Sequence, residues 1–201
     1  MIAILDYGSG NIRSAQRALE KTKHKVEITQ DFEVAVAADG LVVPGVGAFG
    51  ACMQGLLKVK GDVIIRERLA NQKKIFGICV GMQILFSDSA ELYHGERVKG
   101  VGVFAQSVER LSSKVLPHIG WNSVKIDQES KSFAGIEQES FYFVHSYAVI
   151  APIPGVINIR TNYEGDFVSA IESDLITATQ FHPEKSGAAG LKLISNWANS
   201  L

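Results

Sequence analysis

A nucleophilic side chain needs a turn that exposes it, a base that takes its proton and a group that aims the base. Residues 75–83 read Ile75-Phe76-Gly77-Ile78-Cys79-Val80-Gly81-Met82-Gln83, with glycines two before and two after a cysteine. An apolar, branched run ends there and a helix-period run begins, so Cys79 occupies a nucleophile elbow with sulfur in place of oxygen. The glycines have a steric job, because the turn is too tight for side chains on either side. A thiol just before a helix also meets the positive end of the helix dipole, which favours the thiolate. Most free cysteines are small buried hydrophobes; the flanking glycines favour a nucleophile here. Cys52, in Phe49-Gly50-Ala51-Cys52-Met53, has no such setting and reads as core.

Five histidines could serve as base: His24, His94, His118, His145 and His182. His182 follows a strand-like run in Phe181-His182-Pro183-Glu184, and Pro183 disfavours helical geometry at the residue before it. In an extended chain residues two apart point the same way, so the Glu184 carboxylate can lie beside the His182 imidazole and fix its tautomer. Cys79, His182 and Glu184 would then form a nucleophile, base and orienter set. Taken alone, His182 and Glu184 could equally be a surface pair at a turn. His145, in the aromatic run Phe141–Tyr147, reads as packed or pocket-lining, with the base role as its alternative. His24 and His94 read as solvated. Neither cysteine has a second cysteine or histidine at ligand spacing, which argues against zinc.

The elements that must hold these residues follow from the apolar pattern. Strands are expected at Met1–Leu5, Lys25–Thr29, Gly40–Val43 and Lys74–Ile78. Helices are expected at Ile12–Thr22, with Ser9 and Asn11 as possible caps, and at Ala48–Lys58, Asp62–Ala70 and Val80–Phe86. That alternation predicts a three-layer α/β fold with a mostly parallel central sheet. Beyond Gly100 the runs Gly102–Leu111, Ser140–Ile150, Gly155–Asn162, Val168–Glu172 and Leu175–Phe181, separated by turn residues, predict added antiparallel strands. Ala188–Leu201 should close the chain as a helix.

Gly45-Val46-Gly47-Ala48-Phe49-Gly50 matches G-x-G-x-x-G, yet it follows the third strand rather than the first, and the acidic residues downstream, Asp62 and Glu67, fall in an expected helix. A dinucleotide site is therefore set aside. Gly45 and Gly47 fit better as an oxyanion loop, their backbone N–H groups acting with the amide of Val80.

Composition bounds the rest. The 201 residues favour one domain over residues 1–201, and 46% hydrophobic content describes a globular chain. Lys plus Arg number 20 against 21 Asp plus Glu, so nothing suggests nucleic-acid binding. No apolar run approaches a membrane span, no positively charged leader opens the sequence, and two cysteines make no disulfide framework. A cytoplasmic protein is expected.

These motifs resemble the class I (triad) glutamine amidotransferases, which combine a G-x-C-x-G-x-Q elbow with a downstream H-P-E. Within that superfamily, Asp6–Asn11, Pro44–Gly50, Leu116–Asn122, Tyr142–Tyr147 and Phe181–Ser186 are similar to the HisH family, the glutaminase subunits of imidazole glycerol phosphate synthases, over nearly the whole chain. A P-G-V-G loop at Pro44–Gly47 separates that family from relatives with P-G-G there.

The resemblance implies Cys79 as nucleophile, His182 as base and acid, and Glu184 as its orienter. It implies that Gln83 and the Ser146-Tyr147 backbone hold L-glutamine, that Gly45, Gly47 and Val80 form the oxyanion region, and that His118, Gly120, Trp121 and Asn122 meet a partner. That partner would be the cyclase subunit HisF, which takes the ammonia; neither cofactor nor metal is implied. Departures are Val80 and Ile12, where leucine is more usual, and Ala148 in place of an aromatic. Open alternatives are the glutaminase subunit of another ammonia-using synthase, a stand-alone cysteine hydrolase, and a silent subunit retained for binding.

Overall fold

A computed structural model describes all of residues 1–201. The first half builds β1 (Ile2–Leu5), α1 (Ile12–Leu19), β2 (Val26–Thr29), α2 (Phe32–Ala37), β3 (Gly40–Gly45), α3 (Phe49–Lys58), α4 (Gly61–Ala70), β4 (Lys74–Cys79) and α5 (Val80–Gln83). There follow β5 (Asp88–Tyr93), β6 (Glu96–Lys99), β7 (Ser107–Arg110), β8 (His118–Ser123), β9 (Lys125–Ile126), β10 (Ser140–His145), β11 (Tyr147–Val149), β12 (Ile157–Asn162), β13 (Asp166–Glu172) and β14 (Ile176–Thr179). A 3₁₀ turn over Pro183–Lys185 leads into α6 (Gly187–Ala198).

The main sheet runs β2-β1-β3-β4-β14-β13-β11-β7-β5-β6, with β12 and β9 branching from β13. Strands β2, β1, β3, β4 and β14 are mutually parallel. Because crossovers between parallel strands are right-handed, stepping outward from β1 to β2 puts α1 on one face. Stepping back to β3 and on to β4 puts α2, α3 and α4 on the other. α6 packs beside α1 and α2 packs beside α4, which gives three layers around a cluster of 51 buried apolar residues. No helix is long and apolar enough to cross a membrane.

Three expectations need correction. The run Leu175–Phe181 forms β14, which is antiparallel to β13 but parallel to β4. β13 already runs against the central strands, and the Ser173 turn, closed by Ser173 N–H to Ile176 O at 2.8 Å, reverses the chain once more. The run Ser140–Ile150 is two strands. β10 pairs with β8 in a separate two-stranded ribbon, and after Ser146 β11 joins the main sheet. Neither Ser9 nor Asn11 caps α1 through its side chain; Ser9 Oγ is taken up by Val46.

α2, the β5–β6 hairpin, β8 and β9 lie outside the expected elements. α2 has only six residues, started by Asp31 Oδ1 accepting the Val34 N–H at 2.9 Å. Its end is held by a fully buried arginine on α4. Arg68 donates to the carbonyls of Ala35, Val36, Ala38, Asp39 and Lys74 at 2.7–3.2 Å. Those oxygens engage both terminal nitrogens of the guanidinium, Nε alone lacking a partner, and tie the last turn of α2 to the starts of β3 and β4.

Candidate active site

The parallel strands end together at one edge of the sheet, where open α/β folds bind ligands. At the end of β4, Cys79 takes φ 56° and ψ −112°, a strained conformation for a residue with a Cβ. Three glycines let the backbone close around it. A Cβ on Gly81 would lie 1.8 Å from the Val43 carbonyl oxygen, one on Gly77 2.7 Å from Gly81 O, and one on Gly45 2.5 Å from Gly81 N. α5 is four residues long before the chain tightens into Leu85 N–H to Met82 O and Phe86 N–H to Gln83 O. Its dipole is correspondingly smaller than the expected helix Val80–Phe86 would give.

His182 follows β14 in an extended conformation, its N–H donating to Tyr142 O at 2.9 Å. The next three residues form the 3₁₀ turn rather than continuing extended, so the reason for the His182–Glu184 pairing differs from the one expected. Pro183 starts the turn, and Ser186 Oγ donates to His182 O at 2.6 Å while accepting the Tyr142 N–H at 2.9 Å. The turn brings Glu184 Oε1 to 2.8 Å from His182 Nδ1, with both side chains only 2% exposed. Burial pulls the imidazolium down, but the neighbouring Cys79 and the hydrogen-bonded Glu184 outweigh it and hold His182 at about 9.

Cys79 and His182 line a cavity of about 500 Å³ with Asn11, Val46, Gly47, Val80, Gln83, Glu91, Val144, His145, Ser146, Tyr147 and Lys185. Glu91 is its one carboxylate and Lys185 its one lysine, a pairing that suits a zwitterion. Gln83 Nε2 donates to Tyr147 O and Gln180 Oε1, both at 2.9 Å, so both its hydrogens are committed within the protein. Oε1 is what remains for a ligand. Gly45 is buried in β3, opposite Cys79 in register, and does not line the cavity. Its lack of a side chain serves close packing at the elbow. Gly47 is at the cavity, with φ 94°. Between them, the Val46 N–H donates to Ser9 Oγ at 3.2 Å, and Val46 O accepts from the same hydroxyl at 2.8 Å.

The expected partner segment divides by strand alternation. Ile119 and Trp121 are each 58% exposed on one face of β8. His118 faces inward, stacked between Tyr163 and Phe143 with ring centroids 3.9 and 4.8 Å away. Its side chain points away from the exposed face of β8; Gly120 and Asn122 are half-buried. His145 lines the cavity and packs as expected, its Nε2 3.1 Å from His118 Nδ1 and its Nδ1 3.0 Å from Tyr147 O. His94 is exposed in the β5–β6 turn and Cys52 is fully buried. Sequence reasoning missed Glu91, on a hairpin too polar to register as strands. It also missed Gln180, two residues before His182, where strand periodicity could have found it.

Burial holds His145 neutral, at about 3, and lowers His118 as well. Below the ordinary value of 6.5 the unfolded chain takes up protons that the folded one refuses, so stability drains away as pH falls from 6.5 toward 3. His182 acts with the opposite sign, its contribution complete below 6.5 and lost as pH rises through about 9. Urea midpoints measured across pH should peak at about pH 6–7 and fall on both sides, and His145→Phe should flatten the acid side.

A family model described as glutamine amidotransferase class-I matches residues 3–200. Imidazole glycerol phosphate synthase subunit HisH of Corynebacterium diphtheriae is 51% identical, covering 100% of this chain and 99% of its own. The HisH subunits of Mycobacterium tuberculosis and Streptomyces avermitilis are 48% and 46% identical, also over 100% of this chain and covering 98% and 96% of theirs. Among solved structures, a glutamine amidotransferase superposes with TM-score 0.74 at 18% identity, covering 94% of each chain. PurLQS from Thermotoga maritima does so with 0.71 at 19%, covering 98% of this chain and 97% of that one. At such identity these two establish likeness of fold alone.

Proposed function

The chain belongs to the class-I glutamine amidotransferase family, and on that premise we propose that it is the glutaminase subunit of an imidazole glycerol phosphate synthase. The observation that carries the reading is a cysteine on a strained, glycine-lined elbow, sharing one cavity with a histidine whose Nδ1 is 2.8 Å from a buried carboxylate.

With Nδ1 held by Glu184, the imidazole turns Nε2 toward the sulfur side. The Cys79 thiolate attacks the carboxamide carbon of L-glutamine, and the carbonyl oxygen takes up the negative charge. Protonated His182 gives its proton to the departing nitrogen, the C–N bond breaks, and ammonia and a Cys79 thioester are formed. Water, deprotonated by His182, then hydrolyses the thioester to glutamate and frees the sulfur. Gln83 Oε1, Glu91 and the Ser146-Tyr147 backbone are the groups for the amino-acid portion. Gly47 and Val80 offer backbone N–H groups toward the oxyanion.

Ammonia released into neutral water is largely protonated and no longer nucleophilic, so it must pass directly to an acceptor site. Relatives about half identical to this chain are named as HisH subunits of a synthase, and on that likeness we place the acceptor on a second chain, the cyclase subunit HisF. Exposed Ile119 and Trp121 on β8 suit such an interface. Glutamate release should be low for the isolated chain and should rise when the cyclase and its nucleotide substrate are added. Equal turnover with and without them would refute a coupled subunit.

The Gly45–Gly47 loop supplies a further expectation. With the Val46 N–H engaged by Ser9 Oγ, that donor is unavailable to an oxyanion. Ser9→Ala removes both bonds to Val46 and should raise glutamate release by the isolated chain by about three- to tenfold, assayed without the cyclase.

A further inference from the structure

Outside the proposed triad, one side chain hydrogen-bonds the candidate nucleophile. Gln180 is buried at the end of β14, and its Nε2 lies 3.7 Å from Cys79 Sγ. Which end of an amide faces a sulfur decides whether it stabilises or repels a thiolate, and here the network fixes it.

Tyr147 O can only accept, so Gln83 Nε2 and His145 Nδ1, 2.9 and 3.0 Å away, both donate to it. His145, kept neutral by burial, then has a bare Nε2 that accepts from His118 Nδ1 at 3.1 Å. His118, its protonation disfavoured by the same cause, leaves a bare Nε2 to accept from Asn122 Nδ2 at 3.3 Å. Back toward the sulfur, the second hydrogen on Gln83 Nε2 points at Gln180, whose near atom must therefore be Oε1, at 2.9 Å. Nε2 is left facing Cys79. Turning the amide over would set two NH₂ groups against each other and an oxygen against the sulfur.

We propose that Gln180 is a catalytic residue whose amide N–H donates to Cys79 sulfur and favours its thiolate, locked in that orientation by Gln83, whose amide is itself fixed by the Tyr147 carbonyl. The inference rests on Cys79 being the nucleophile. The other titratable groups set around the sulfur are His182 with Glu184 behind it, His145 beyond His182, Glu91 and Lys185 on the shared cavity wall, and Tyr7 and Cys52 from the other side. Burial keeps Tyr7 and Cys52 protonated, so they put no competing charge there.

The test is alkylation of Cys79 by iodoacetamide without glutamine, followed over about pH 5–10 with the modified peptide resolved from that of Cys52. Gln180→Met removes donor and acceptor. Gln180→Glu keeps the acceptor for Gln83, preserves size and replaces the donor with an oxygen. In Gln180→Met the rate on the acid limb should fall about tenfold and the profile midpoint should rise by about one pH unit, with a larger shift in Gln180→Glu. In the complex, kcat for glutamine should fall while KM changes by less than about twofold. Alkylation profiles in both variants that superimpose on the parent profile would overturn the proposal. The alkylation requires no turnover, so failure of the parent protein to release glutamate would strike the functional reading alone.

Discussion

Replacing Cys79 with alanine should lower glutamate release from glutamine by about 10⁴-fold or more, since loss of the nucleophile removes the covalent route altogether. The fold should survive, because the alanine variant keeps the same strained backbone and loses only one sulfur atom. Cys79→Gly goes further. Glycine adopts φ 56° without the Cβ penalty, so this variant should be equally inactive yet more stable than the parent by about 1 kcal/mol. Urea unfolding and a coupled glutamate assay on the same preparations separate the two effects. A Cys79→Ala chain with unimpaired turnover in the complex would remove Cys79 from the chemistry.

The second large effect concerns stability. Gly81→Ala would put a methyl group 1.8 Å from the Val43 carbonyl oxygen, a position that backbone on both sides prevents it from leaving. β3 is a central strand and cannot give way alone, so α5 must lift off it. The cost should be on the order of 3–5 kcal/mol, at the upper end for a single overpacking substitution. The surviving folded fraction should also turn over poorly, about 10²-fold down, because Cys79 is the residue from which α5 starts. Gly95→Ala is the comparison: its Cβ meets nothing within 4 Å, so its cost reflects only backbone strain at φ 87°. A Gly81→Ala protein no less stable than Gly95→Ala would contradict the packing argument.

Much of this was legible in the sequence because local steric rules write themselves into residue types. Gly77, Gly81 and the histidine before Pro183 mark backbone that other residues could not adopt as readily, and the strand-then-helix rhythm through Val80 locates the sheet edge where they meet. What escaped depends on pairing between distant segments. Nothing within Leu175–Phe181 tells whether β14 lies beside β4 or only beside β13. Nothing in Arg68 reveals that it is fully buried with five carbonyl partners. The His182–Glu184 contact was anticipated from extended geometry but is made by a 3₁₀ turn, since two residues can meet by either route. For His118 the family resemblance implies a partner-facing residue, whereas strand alternation turns its side chain inward and leaves Ile119 and Trp121 on the exposed face of β8.

The central claim is that one sulfur attacks the glutamine side chain within the cavity shared with His182. Incubation with a diazoketone analogue of glutamine, followed by peptide mapping of the complex, tests it most directly. The account predicts a single covalent adduct, on Cys79, formed more slowly in the presence of excess glutamine and absent from His182→Asn or strongly slowed there. An adduct on Cys52 or His145 with Cys79 left unmodified would contradict it.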